Sequence, residues 1–173
     1  MASIVVNKII EANAYIDGNT HAGKIAEVKF PTLEFDAQEL DALGMAMTVS
    51  LPGKLKEMDG EVTWNSVYPE AEARVLNPFN GIPLQLRSNV RRYGSNGLIE
   101  EVPMVSFLNI MTYSNDLGEL NMKDAQKRPV KYKVLSLRQV VAGRETLHVD
   151  PWSNTYRVNG VDIFAKMKEN IGA

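Results

Sequence analysis

The chain has 173 residues, 45% of them hydrophobic and 23% charged, with a formal net charge of −2 and no cysteine. That length supports one domain with its own core and falls short of two. The charge balance excludes a broad basic field for gripping nucleic acid, and the missing thiols exclude disulfides, a thiolate nucleophile and a cysteine-rich zinc site. An absence of cysteine also suits assembly in a reducing cytoplasm. The opening M-A-S-I-V-V-N-K-I-I-E has an apolar run too short for a membrane span and lacks the basic flank of a signal peptide, so neither a leader nor a membrane anchor is expected.

Ala14 to Ile16, the turn Asp17-Gly18-Asn19 and Lys24 to Phe30 read as strand, turn and strand. Val28 and Phe30 share one face of the second strand, but beyond Pro31 the apolar Leu33 and Phe35 have the opposite parity. A bulge or bend is expected there, in a strand that curves or lies at an edge. Residues 36–59 show no sustained period. They carry Leu40, Leu43, Met45, Met47, Val49 and Leu51 among Gly44, Pro52 and Gly53, which is more apolar than a free loop should be. These side chains need cover from their own domain or from a neighbouring subunit. Glu61 to Val67 alternates, with Val62 and Trp64 on one side. Tyr68-Pro69-Glu70-Ala71-Glu72 then opens a helix, with proline early and acids in the first turn, that ends at Asn77-Pro78.

Ile82, Leu84, Leu86 and Val90 alternate with Gln85, Arg87 and Asn89, giving a strand with one dry face. Tyr93 to Gly97 is a turn, and Val102 to Tyr113 returns as a long strand apolar on both faces. Asn115 to Gly118 breaks it, and Glu119 to Arg128 is a polar connection. Val130 to Val141 is a second long strand, which Ala142-Gly143 turns into Thr146 to Val149. The last eighteen residues, Tyr156 to Ala173, read as a strand end, an Asn159-Gly160 turn and a short helix that Gly172 stops. Asp162 opposes the positive end of that helix, and Ile163, Phe164, Met167 and Ile171 fall on one face, which must dock on something apolar. The whole is a mainly β domain with one middle helix and one C-terminal helix, with no internal repeat.

Sites for chemistry are few. The only histidines, His21 and His148, are linked to no nucleophile motif, and no G-x-S-x-G, H-E-x-x-H, Walker loop or paired CxxC is present. Glu34, Asp36, Glu39 and Asp41 lack the glycine and final glutamate of a calcium loop and read as a solvated acidic surface. Arg87, Arg91, Arg92 and Tyr93 form one basic, aromatic patch, read as inter-subunit ion pairs or plain solvation rather than a nucleic-acid surface. Trp64 and Trp152 read as core and hinge packing. Neither an enzyme nor a cofactor or metal is expected.

Several landmarks occur in order along the chain: Asn13 to Gly18 followed by His21 to Lys24, Phe30-Pro31-Thr32-Leu33, Ala42-Leu43-Gly44-Met45, Asn159-Gly160-Val161-Asp162 and Asn170-Ile171-Gly172. Together they resemble the major tail tube proteins of contractile-tailed bacteriophages, the myovirus-type tail tube. The chain departs from that pattern at Ala42 or Leu43, where a glycine is usual, and at Ala173, where a leucine is; residues 82–150 match only in strand pattern.

The resemblance implies a β-sandwich or split barrel whose inner strands join edge to edge into a continuous barrel within a six-membered ring. Residues 1–173 would form a single tail tube domain, with 36–59 as a long inter-ring loop and 156–173 as a C-terminal turn and helix. Leu40, Leu43, Gly44, Met45, Met47 and Leu51 would then make inter-ring contacts, and Ile163, Phe164, Met167 and Ile171 would brace adjacent subunits. Glu34, Asp36, Glu39 and Asp41, with Glu119 and Asp124 as further candidates, would face the lumen. Implied partners are further copies of the chain, sheath, tape measure, baseplate and tail terminator proteins, and double-stranded DNA in passage. The implied location is the virion tail, assembled in the bacterial host cytoplasm. Two other readings are the tube of a headless phage-tail-like bacteriocin or contractile injection system, and a monomeric β-sandwich ligand-binding module using Tyr93, Tyr113 and Tyr132.

Overall fold

Tight turns set the topology. Asp17-Gly18, Ala142-Gly143 and Asn159-Gly160 each hold two consecutive residues at positive φ (49° and 79°, 49° and 77°, 49° and 82°). This two-residue geometry matches the twist of paired strands, so each turn joins antiparallel neighbours. A computed structural model describes residues 4–119 and 126–172. In chain order the described elements are β1 (Val6–Ile16), β2 (Asn19–Thr20), β3 (Ile25–Lys29), β4 (Phe35–Leu40), β5 (Val49–Leu55), β6 (Asp59–Trp64), α1 (Pro69–Val75), β7 (Ile82–Gly94), β8 (Gly97–Asn115), β9 (Arg128–Val141), β10 (Arg144–Asp150), a 3-10 turn (Pro151–Ser153), β11 (Thr155–Val158), β12 (Val161–Asp162) and α2 (Ala165–Ile171).

Ten strands form one sheet in the order β12-β11-β10-β9-β8-β7-β1-β2, with β6 added to β9 and β3 to β6; β4 and β5 stand apart as a two-stranded sheet. Strand β9 divides its outer edge. Its first half, Arg128 to Lys133, pairs with β6, while Leu137 to Val141 pair with β10. Between the halves, Val134 donates its N–H to the Met58 carbonyl at 2.8 Å. The sheet therefore forks, and its β3–β6 limb supplies a second wall for the core.

That core holds Leu84, Leu86, Leu108 and Ile110 from the long strands, Val62 and Trp64 from the other limb, and Ala71 and Val75 from α1. Each fully buried large side chain stabilises the fold by about 1.5–3 kcal/mol. Tyr132 is completely buried and donates its hydroxyl to the Lys29 carbonyl at 3.0 Å, and burial holds its phenol above the usual pKa. Its ring lies where a side chain on Gly60 would be, since a Cβ there would come within 2.4 Å of Cζ. Only glycine permits that approach.

Helix α1 is pinned from three sides. Arg74 donates to both carboxylate oxygens of Asp17 at 2.5 and 3.0 Å, Lys24 pairs with Glu70 at 2.5 Å, and Arg128 pairs with Glu72. The Thr112 hydroxyl donates to the Val75 carbonyl at 2.6 Å, satisfying an acceptor that the helix end leaves open.

The mainly β fold with one middle and one C-terminal helix is as the sequence suggests, and the single chain forms no closed barrel among its described residues. Three readings are corrected. Residues 35–55 form a hairpin rather than a patternless loop, with a bulge between Phe35 and Ala37 that breaks the alternation. Strand β1 begins at Val6 rather than Ala14, its alternation hidden by a bulge between Ile9 and Glu11. Tyr132, a candidate ligand platform, is core.

Candidate assembly surfaces

The β4–β5 hairpin has a fixed root and a bare tip. At the root, Leu33 and Leu55 pack on the core, and Phe35 meets Tyr156 edge to face at 5.5 Å. Pairing puts Leu40 opposite Val49 and Gln38 opposite Leu51, so one face of the outer hairpin is apolar; Glu39 and Ser50 point from the other. The tip closes on a Met45 N–H to Ala42 carbonyl bond of 3.0 Å, with Gly44 at φ 88°. Leu43 is fully exposed and Met47 81% exposed, and Leu40, Met45 and Leu51 are exposed as well. The six candidate inter-ring residues thus sit together on one projection, out of contact with their own core.

The acids expected at the lumen share that projection and its root. Glu34 and Asp36 flank Lys56, at 2.5 and 3.8 Å, and the Asp41 carboxylate accepts from the Thr48 hydroxyl at 2.9 Å. These acids hold Lys56 above the usual lysine range, the Glu34 hydrogen bond first. Glu39 and Asp41 meet no cation among the described residues. Glu119 is exposed; Asp124 lies outside the described residues.

The C-terminal candidates form a second apolar surface. Phe164 packs on Tyr156 at 5.7 Å between ring centres, while Ile163, Met167 and Ile171 are exposed. Asp162 shapes the turn before the helix by accepting the Phe164 N–H at 3.0 Å and pairs with Lys168 at 2.5 Å, which lowers its carboxyl pKa. Beside α2 runs an open groove of about 670 Å³ between the hairpin root and the turn after β10. Trp152 stands on its rim, 82% exposed, which corrects its reading as hinge packing. Its place is fixed by the Asp150 carboxylate, which accepts from the Trp152 N–H at 3.0 Å and the Ser153 hydroxyl at 2.8 Å.

The long sheet ends in open edges. Only Tyr15 and Ile16 of β1 pair with β2, and β9 joins β8 only from Met104 onward. The outer edges of Val6 to Ala12 and of Gly97 to Val102 consequently have no strand beside them among the described residues. They lie on opposite sides of one three-stranded finger, β1–β7–β8, with Val6, Ile9, Leu98 and Ile99 all more than half exposed. The basic patch on this finger pairs within the chain, Arg91 with Glu101 and Arg92 with Glu100 across β7 and β8, and Arg87 lies over Tyr15 at 5.0 Å. The expectation of inter-subunit pairs is corrected for Arg91 and Arg92.

The histidines do not converge on a nucleophile. His21 is buried edge-on against Trp64 at 5.4 Å, where burial and then Lys24 lower its pKa; His148 lies in β10 beside Arg138 and Arg157. No group of three or more metal-ligating side chains occurs among the described residues.

The sequence profile of the family described as phage tail tube protein FII matches residues 6–172. The chain belongs to this tail tube family. Tail tube proteins are structural components of the phage tail, so this one is not an enzyme. No curated protein sequence matches it. Among solved structures, it resembles a chain of the sheath/tube terminator of an extracellular contractile injection system in its extended state, with TM-score 0.53, 10% identity and coverage of 75% of this chain and 92% of that one. It also resembles a chain of the sheath–tube complex of such a system, with TM-score 0.51, 9% identity and coverage of 75% and 87%. At these identities the likeness is one of fold. The tail tube protein's open edges and its exposed Trp152 are not legible as sites from sequence, because exposure depends on which strands find partners. The hairpin is signalled by the excess of apolar residues in 36–59.

Proposed function

We propose that this tail tube protein is the repeating subunit of a hollow tube that conducts DNA into the host when the surrounding sheath contracts. The observation that carries this reading is the pair of open edges on opposite sides of one finger. A sheet with one unpaired edge can dimerise and stop, whereas two edges facing opposite ways admit head-to-tail pairing around a ring. The family resemblance supplies the number six. Pairing of these edges between copies extends the sheet into one continuous barrel. The hairpin then places Leu40, Leu43, Gly44, Met45, Met47 and Leu51 on a neighbouring ring, while Ile163, Met167 and Ile171 brace adjacent subunits beside Phe164. Sheath, tape measure, baseplate and terminator proteins complete the assembly.

The bore works by failing to bind. Six chains at −2 give a ring of roughly −12, which repels phosphate and lets DNA slide. Glu34, Asp36, Glu39 and Asp41 contribute to that wall; Glu39 matters most because it meets no cation among the described residues and points from the polar face of the hairpin. Glu39→Lys is expected to leave tubes intact and slow DNA delivery; unchanged infectivity of the variant phage would remove the electrostatic part of the proposal. The tube itself is tested by negative-stain electron microscopy and light scattering over a concentration series. Six-fold rings or uniform hollow tubes are expected, and chains that remain monomeric even with a cognate baseplate seed would overturn the reading. The same subunit suits a headless injection particle, consistent with the fold it shares with injection-system chains; capsid and terminase genes nearby would assign it to a phage.

A further inference from the structure

The hairpin tip packs on no part of the core among the described residues, and an apolar groove opens beside Trp152. We infer that the groove at the root of β4–β5 receives the hairpin tip of a second copy. This inference rests on the tube reading and names the surface on which the hairpin lands.

Three observations carry it. The first is chemical match: the tip offers Leu40, Leu43, Met47 and Leu51, and the groove is walled by Leu55, Met58, Val134, Val149, Trp152 and Met167. Unbranched methionines adapt to an open apolar groove, and an exposed tryptophan on a capped turn is the kind of anchor that dominates an interface. The second is reach. The groove begins at Gly53, at the base of the strand whose far end is the tip. Seven residues of β5 span about 20 Å, so the tip points away from its own groove and can enter only one displaced along the hairpin axis. Each copy thus presents a plug at one end of the hairpin and a socket at the other, the arrangement that propagates without closing.

The third is charge. From Ala37 to Gly53 the hairpin carries Glu39 and Asp41 and no cation. On the groove, Lys56 and Lys133 are already paired with acids of their own chain, Glu57 among them, and Asp150 is engaged by Trp152 and Ser153, whereas Lys54 forms no ion pair among the described residues. Docking the apolar face brings the acidic tip to Lys54 and leaves Glu39, on the opposite face, for the bore. It moves Asp41 from the bore wall into the joint.

The absence of cysteine makes the test clean. Met47→Cys and Thr155→Cys chains, the second placing its thiol in the groove lining, are mixed, assembled on a baseplate seed and oxidised. A covalent dimer is expected from the mixture and from neither variant alone. A charge exchange gives an independent measurement: Asp41→Lys and Lys54→Asp are each expected to lower polymer yield several-fold, and the doubly exchanged chain to recover it. Tubes that form normally, with no mixed dimer and no recovery in the double exchange, would overturn the socket while leaving the tube reading intact. Wild-type chains that never polymerise on the seed, and never cross-link, would remove both.

Discussion

The region around Tyr132 and the tip of the β4–β5 hairpin solve opposite problems. Tyr132 has every requirement met inside the chain: a hydroxyl partner, a glycine that makes room and walls on all sides. The hairpin tip has its hydrogen bonds and little else, with Leu43 and Met47 in water. Isolated two-stranded hairpins are marginal in water, and natural proteins rarely leave a cluster of large apolar side chains uncovered. The contrast teaches that residues of similar hydropathy divide between a part of the chain that makes the fold and a part that the fold holds out for assembly.

The largest effect is expected at the centre. Gly60→Val puts a side chain into the Tyr132 ring and is expected to cost about 3 kcal/mol or more, read from urea unfolding of the monomer, with assembly lost as a consequence. The paired change Leu43→Asp and Met47→Asp should separate the two regions: monomer stability within about 0.5 kcal/mol of wild type, and tubes absent by electron microscopy. If monomer stability fell with assembly, the tip would belong to the fold after all. A smaller effect is expected on acidification. The Asp162 carboxyl pKa is lowered chiefly by its hydrogen bond to Lys168, so its contribution to holding α2 is present above the ordinary carboxyl pKa of about 4 and is lost as pH falls through the lowered value. Hydrogen exchange at α2 should rise over that range while β7–β9 stay protected. Asp162→Asn should remove the pH dependence.

Much of the fold is legible because its turns are written in residue types that tolerate positive φ. Asp17-Gly18, Ala142-Gly143 and Asn159-Gly160 place three strand junctions from sequence alone, and Pro69 with two acids places α1. The hairpin is not legible, because the bulge at Phe35 and Ala37 shifts one strand's parity and the other contains a proline. The first eight residues of β1 escape for a similar reason. The site was half legible: the apolar excess in residues 36–59 shows that something needs cover, but not that Glu39 lies on the face opposite Leu40 and Leu51. Nor could composition show that Arg91 and Arg92 find their acids one strand away. Trp152 is the sharpest case, since tryptophan in a β protein usually means core and here it sits on a surface turn that Asp150 caps.

The divided strand β9 has a consequence for how the chain is made. Strands β3 and β6 leave the ribosome early, carrying Ile25, Val28, Val62 and Trp64, yet β6 joins the main sheet only through Arg128 to Lys133. Until that stretch emerges, more than a third of the chain later, the limb has no strand joining it to the main sheet, and such half-made sheets are the species that aggregate. The order of synthesis therefore holds back β9, and after it β10 with the buried Val149, and a pause in translation before Arg128 is where yield would be lost.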